Sequence, residues 1–337
     1  MLTNAIHRWS DVLKLRRGEN VRPHFVDFHT SDICNHKCIG CAYRDKHGSE
    51  MMSEADHLKA IIRLSAFGVR AFDFAGGGEP TLMPYLPRMM DAITNRGGVF
   101  GLITNGSNLT DAIIEALLRG GTYLRVSLEA STPWLFRKYK QVPAIEFVNI
   151  IDRVRHVVQV RNARGSKLQI GIKFGVSKIL RGTLHYQMMF DLAAQLGVDR
   201  ITVRCLSHFP EELSGNERYA EYALFSKLRP AEHAYEIKES FFPNRFESVP
   251  QCYLNPLHTV MDHKGNIYLC CYYYYRQEKH KIGNILDSTM EDIWMTPEHI
   301  QKIKEIDRDE CAKVDCKFFR HHQAVEEAAT RGQIYFL

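Results

Sequence analysis

Cys34-Asn35-His36-Lys37-Cys38-Ile39-Gly40-Cys41 places three thiols inside eight residues, spaced C-x3-C-x2-C. The stretch follows a predicted strand, Pro23-His24-Phe25-Val26-Asp27-Phe28. A loop this short wraps one cuboidal iron–sulfur cluster and gives three of its irons a thiolate each, which leaves the fourth iron open to another ligand. Lys37 and His36 supply positive charge beside the thiolates. The competing readings are a zinc knuckle, with His36 or His47 as fourth ligand, and a chance group of buried cysteines.

Outward from this loop, strand-like and helix-like segments alternate, the pattern of a parallel α/β sheet. Predicted strands over 69–75, 99–103, 123–128, 168–176 and 200–206 are separated by predicted helices over 53–67, 83–95, 111–118, 144–162 and 184–196. Ser53 reads as an N-cap and Gly68 as a C-cap of the first of these helices. In such folds ligands gather at the C-terminal ends of the strands. The first strand ends at the cysteines and the second at Gly76-Gly77-Gly78-Glu79-Pro80. The third ends at Thr104-Asn105-Gly106 and the fourth at Ser127-Leu128-Glu129. A glycine run lets a ligand approach the backbone closely. Its plain alternative is a tight turn before Pro80, as an Asn-Gly turn is for Asn105-Gly106.

Cysteines return near the C-terminal side. Cys252 is followed by twelve residues, Gly265, four more residues and Cys270, with a predicted hairpin turn at His263-Lys264-Gly265-Asn266 between strands over 259–262 and 267–273. Cys311 and Cys316 would complete a four-thiolate set for a cluster or for zinc. Cys271 adjoins Cys270, but neighbours on a strand face opposite sides, so only one of the pair is a ligand. Cys205, alone on its strand, reads as a packed core thiol.

Composition bounds the rest. With 337 residues, 45% hydrophobic and 25% charged, the chain suits one large domain and a smaller appendage. No apolar run approaches the ~20 residues that span a bilayer, so no membrane association is expected. The first residues lack the apolar core of a signal peptide, and nine cysteines then point to metal or catalysis in a reducing, cytoplasmic setting. The net charge of +5 is spread out. Its densest patch, Arg153, Arg155, His156, Arg161, Arg164 and Lys167, reads as a solvated helix face, so no nucleic-acid partner is expected.

The cysteine loop resembles that of the radical S-adenosylmethionine (SAM) superfamily. The resemblance implies that the open iron chelates the amino and carboxylate groups of SAM. Reduction then cleaves the sulfonium to a 5′-deoxyadenosyl radical, which abstracts hydrogen from a substrate. One departure is Gly40, where the family usually has an aromatic residue; Tyr43 lies just beyond. By the same resemblance Gly76, Gly77 and Gly78 offer backbone contacts to the methionyl ammonium, and Glu79 shapes the turn. Ser127 contacts the SAM carboxylate or ribose, and Thr104 and Asn105 line the same pocket. The implied core is a partial (β/α)6 TIM-like barrel over residues 24–206, preceded by a helix and connector over 1–23.

Cys252-x12-Gly265-x4-Cys270 is similar to the opening of the SPASM extension found on many of these enzymes. With only Cys311 and Cys316 following, it matches the shortened "twitch" form with one auxiliary cluster, and the family spacing selects Cys270. A linker or cap over 207–250 and a small α+β cluster domain over 251–337 are expected. The implied cofactors are a SAM-binding 4Fe–4S cluster, a second, auxiliary 4Fe–4S cluster and SAM, with flavodoxin or ferredoxin as electron donor. Many peptide-modifying members carry a separate recognition domain that 23 residues do not hold. That favours net oxidation or rearrangement of a small polar, sugar-like metabolite, with maturation of a ribosomally made peptide as the alternative. A non-catalytic iron–sulfur carrier or zinc protein is the remaining class, and a carrier has no need of a SAM pocket.

Overall fold

Apolar residues recur at every second position of the predicted strands, and the structure turns that period into a sheet with two unlike faces. The computed structural model describes residues 9–207, 209–242, 252, 255–270, 278–307 and 311. In chain order, helix α1 (Trp9–Arg16) precedes β1 (Phe25–His29), α2 (Glu54–Phe67), β2 (Ala71–Ala75), α3 (Leu86–Thr94) and β3 (Val99–Thr104). Then come α4 (Asp111–Gly120), β4 (Gly121–Glu129), α5 (Pro133–Lys140), α6 (Ile145–Ala163), β5 (Gln169–Val176) and α7 (Thr183–Leu196). They are followed by β6 (Arg200–Cys205), α8 (Gly215–Leu228) and β7 (Glu236–Ser240). The chain divides into one unit of Phe28–Leu58 and Ala71–Phe242 and another of Met1–Asp27, Lys59–Arg70 and Pro243–Leu337.

In the larger unit the strand order runs from β1 to β7 without a return to β1, and every pair from β2 onward is parallel. This is a partial barrel of the α/β class. One face of the strands is apolar: Phe72, Phe74, Leu102, Leu124, Val126, Ile172 and Val203 are buried, as are Met90 of α3, Leu117 of α4, Val154 of α6 and Met189 of α7. Each such side chain contributes about 1.5–3 kcal/mol by leaving water. The alternate positions are polar or small. They are Tyr123, Arg125, Ser127 and Glu129 on β4, Gly171, Lys173 and Gly175 on β5, and Thr202 and Arg204 on β6.

The predicted helix boundaries hold to within a few residues, and Ser53 caps α2 as expected, its hydroxyl accepting from the Asp56 amide at 3.1 Å. Three elements differ from the sequence reading. Residues 207–250, read as a linker or cap, include α8 and β7, and β7 extends the parallel sheet beside β6. β7 has a single apolar residue, Ile237, among Glu236, Lys238, Glu239 and Ser240, so it lacks the apolar period that marks a strand. Helix α5 was not expected at all.

The smaller unit contains the antiparallel strands β8 (His258–Met261), β9 (Asn266–Tyr268) and β10 (Lys281–Asn284), then α9 (Met290–Trp294) and α10 (Pro297–Lys304). The predicted hairpin is organised by Asp262, whose Oδ1 accepts the amides of Lys264 at 2.9 Å and Asn266 at 3.0 Å. Gly265 takes a positive φ of 79° there, a conformation that only glycine adopts without strain. The second hairpin strand was predicted to reach residue 273; positions from 271 to 277 lie outside the described residues.

Candidate metal centre

The cysteine loop leaves β1 and runs beside the C-terminal end of α5. The Lys37 amide donates to the Lys140 carbonyl at 3.1 Å, and the Ile39 amide to the Tyr139 carbonyl at 3.0 Å. Cys34, Cys38 and Cys41 are free thiols, all half-buried. The Cys34 sulfur accepts the His36 amide at 3.5 Å and the Cys41 sulfur the Tyr43 amide at 3.4 Å, contacts that favour thiolate sulfur. Burial pushes the Cys34 thiol up to about 11 and raises Cys41, so either thiolate needs a positive partner in place of its proton.

Lys140 answers that charge. It is buried, and its ammonium bonds to the Ser127 carbonyl at 2.5 Å. Burial alone would lower its pKa, but the nearby Cys38, Glu129, Glu79 and Cys34 together raise it. Lys140 stays cationic beside the loop, where a cluster carrying three thiolates needs positive charge. His36 brings the loop no positive charge, contrary to the sequence reading: its ring is buried edge-on against Phe136 at 5.9 Å, and burial lowers its pKa to about 3. His47 reaches 4.0 Å from the Cys41 sulfur while its ring bonds to the Gly77 carbonyl.

The glycine run closes against the segment between β1 and the loop. The Gly78 amide donates to the Ser31 carbonyl at 2.6 Å and the Glu79 amide to the Ile33 carbonyl at 2.7 Å. A Cβ at Gly78 would lie 2.0 Å from the Ile33 carbonyl oxygen, so no other residue fits. The Gly78 amide is thereby engaged, and the Gly77 carbonyl takes the His47 ring. Glu79 is buried and forms the joint of the site. Its Oε1 accepts from the Thr81 amide at 3.1 Å, the Thr81 hydroxyl at 2.6 Å and the Thr104 hydroxyl at 2.5 Å, and its Oε2 from the Asn105 amide at 2.7 Å.

Thr104 and Asn105, expected to line the pocket, are held in this frame. The Thr104 oxygen also accepts the Gly106 amide at 2.9 Å. Asn105 donates to Asn35 Oδ1 at 2.8 Å and accepts the Ser107 amide at 2.8 Å, which ties the end of β3 to the cysteine loop. Ser127 stands on the polar face of β4, half-buried, with its carbonyl on Lys140.

Tyr139 and Lys140 were missed from the sequence because α5 was missed. Its start was marked: the Thr132 hydroxyl accepts the Leu135 amide at 3.3 Å, and Pro133 occupies the first turn. Tyr139 also accounts for Gly40, because a Cβ at position 40 would come within 2.7 Å of the Tyr139 hydroxyl and 3.4 Å of the Phe209 ring.

In the smaller unit Cys252, Cys270 and Cys311 pack against one small apolar cluster of Leu269, Ile303 and Ile306. Cys316 and Cys271 lie outside the described residues. The three thiols thus share one apolar neighbourhood.

Comparison with known proteins agrees with both centres. The profile of the radical SAM superfamily matches residues 28–163, and that of the SPASM iron–sulfur cluster-binding domain matches residues 252–317. The S-adenosylmethionine-dependent nucleotide dehydratase of Flammeovirga pacifica is 30% identical over 117 residues, 33% of this chain and 39% of that protein. The chain thus spans about two fifths of that relative's length. The tungsten-containing aldehyde ferredoxin oxidoreductase cofactor-modifying protein of Pyrococcus furiosus is 25% identical over 304 residues, 77% of this chain and 78% of that protein. The fold is similar to that of SuiB from Streptococcus suis, solved bound to S-adenosylmethionine, with TM-score 0.68, 15% identity, and coverage of 90% of this chain and 72% of that one.

Proposed function

Because the chain belongs to the radical SAM superfamily and carries a SPASM domain, we propose that this enzyme abstracts hydrogen from a small polar metabolite held at the polar face of β4–β6. The observation that carries the reading is the gathering of Cys34, Cys38 and Cys41 with the buried Glu79 and Lys140, close enough that their charges act on one another. When bound, the 4Fe–4S group supplies the electron that cleaves SAM to the 5′-deoxyadenosyl radical. Cys34, Cys38 and Cys41 would hold that group, and the glycine carbonyls accept the methionyl ammonium. Lys140 holds positive charge beside the thiolates, while Glu79, Thr104 and Asn105 fix the strand ends against the loop. Cys252, Cys270, Cys311 and Cys316 would hold the auxiliary group, which as a redox centre accepts the second electron of a net oxidation.

The small-metabolite reading is supported by the charged inward face of the barrel and by two relatives whose names specify a nucleotide and a cofactor as their targets. A peptide was solved on SuiB, the precursor SuiA, and is the other outcome of the test. The protein is reconstituted anaerobically and supplied with SAM and dithionite, or with flavodoxin or ferredoxin as the physiological class of donor. Formation of 5′-deoxyadenosine is expected, and Cys38→Ala should abolish it. Deuterium-labelled pools of polar metabolites and of peptides then identify the substrate by transfer of label to 5′-deoxyadenosine. Transfer from peptides alone would overturn the metabolite reading.

A further inference from the structure

The outer face of α5 joins the cysteine loop in one exposed surface. Trp134, Arg137 and Lys138 stand at i, i+3 and i+4 of this helix, on one side of it, and all three are exposed. The Trp134 ring is 66% open to water, with the Lys138 ammonium over it at 5.3 Å. Beyond the helix end, Arg137 shares a recess of about 440 Å³ with Gln141, Val142, Pro143 and Ala144. Arg44, one turn past Cys41, joins this edge by donating from its guanidinium to Gln141 Oε1 at 3.1 Å. Lys37, also exposed, lies in the loop itself between Cys34 and Cys38, with its amide on the Lys140 carbonyl.

These cations lack the carboxylates that other surface arginines have. On and beside α6, Arg153 pairs with Glu146, Arg155 with Asp152, Arg161 with Asp199 and Arg164 with Glu115. Lys37, Arg44, Arg137 and Lys138 have no ion-pair partner among the described residues. Helix α5 contains no acidic residue, Asp45 is the acid of the turn that carries Arg44, and Glu146 at the start of α6 is taken by Arg153 at 3.2 Å. Positive charge thus stands uncompensated around an exposed tryptophan.

Tryptophan and arginine are the residues on which protein–protein interfaces concentrate their binding, and unpaired charges around them steer an oppositely charged partner. The position of the surface names the partner's task, because it borders the thiols of Cys34, Cys38 and Cys41 on the loop's exposed side. Resting on the reading that this loop holds a 4Fe–4S group, we infer that the face of Arg44, Trp134, Arg137 and Lys138 docks an acidic one-electron carrier protein, the class of flavodoxin and ferredoxin. The carrier is oxidised by one electron and the group is reduced by one. No bond forms or breaks and no proton moves.

The test is calorimetric titration of flavodoxin, and separately of ferredoxin, into the reconstituted full chain at low and at high salt. At least one carrier should bind at low salt and weaken as salt rises. Arg44→Gln, Arg137→Gln and Lys138→Gln combined should weaken that binding at least about tenfold and slow carrier-driven reduction by a similar factor. Dithionite, which needs no docking surface, should reduce this variant to the same extent as wild type. Arg119→Gln, Arg155→Gln and Arg164→Gln combined remove the same charge from arginines already paired with Asp91, Asp152 and Glu115, and should leave the affinity within about twofold. Failure of both carriers to bind, undiminished binding by the Arg44, Arg137 and Lys138 variant, or tighter binding of a single-stranded oligonucleotide than of either carrier would overturn the assignment. Binding is read without turnover, so a protein that dithionite cannot reduce would count against the radical reaction and not against this surface.

Discussion

The Glu79 carboxylate and the Thr104 hydroxyl meet at 2.5 Å in the interior, joining the end of β2 to the end of β3. The same carboxylate takes the Asn105 amide at 2.7 Å, and Asn105 in turn bonds to Asn35 at 2.8 Å. The positions of the glycine run, the third strand and the cysteine loop therefore depend on one acid.

Glu79→Ala leaves four donors without their acceptor in a buried site. A hydrogen bond to a charged group contributes about 1.5–3 kcal/mol, so a loss of roughly 3 kcal/mol or more is expected in urea unfolding. Glu79→Gln keeps one carbonyl acceptor and should lose about half as much. Equal stability of wild type and Glu79→Ala would show that the joint is not structural.

Gly40 and Tyr139 occupy one space, with 2.7 Å between a Cβ at 40 and the Tyr139 hydroxyl. Gly40→Ala should cost about 1–3 kcal/mol through overpacking and lower the iron retained after reconstitution. Removing the hydroxyl with Tyr139→Phe should relieve part of that penalty. A double-mutant cycle of the two substitutions measures it, and strict additivity would mean that the two residues do not interact.

Metal content separates the two centres. Reconstitution should give about eight iron and eight sulfide per chain, and replacing Cys34, Cys38 and Cys41 together by Ala should leave about four. Cys311→Ala should remove the other set while 5′-deoxyadenosine formation survives. Cys271→Ala should change neither iron nor turnover if Cys270 is the ligand. Stoichiometric zinc without iron–sulfur absorbance would contradict all of these outcomes.

His185 gives the fold a defined acid sensitivity. Its Nε2 faces the Gly175 carbonyl at 3.0 Å and must donate, so Nδ1 accepts from the Ser131 hydroxyl at 2.8 Å and the ring is neutral. Burial lowers its pKa from 6.5 to about 4. Between those values the unfolded chain binds the proton and the folded chain does not. Stability is thus complete above pH 6.5 and falls as pH drops toward 4, by about 1–3 kcal/mol. Urea midpoints at pH 7.5 and 5 should show the fall, and His185→Gln should reduce it by this histidine's share, leaving that of the other buried histidines, His36 and His299.

The thiol spacings, strand ends and hairpin turn were legible in the sequence because each is a local pattern. The site's second layer was not. Nothing in the sequence reading singled out Arg137-Lys138-Tyr139-Lys140, of which Tyr139 and Lys140 are buried beside the cysteine loop while Arg137 and Lys138 face water. Only the packing of α5 tells these four residues apart. Glu79 was read as shaping its own turn, and it does accept from Thr81. Its bonds to Thr104 and Asn105 arise from the adjacency of β2 and β3, which no short-range pattern encodes.

The two amide bonds from Lys37 and Ile39 to the carbonyls at the end of α5 give the cysteine loop a shape inherited from the barrel. Part of the entropy of ordering the loop is thus offset by the chain's own backbone and does not fall on the iron. The loop is expected to hold its shape when the inorganic core is lost, with slow exchange of the Lys37 and Ile39 amides before and after iron and sulfide are supplied; fast exchange in the metal-free protein would show that the metal orders the loop.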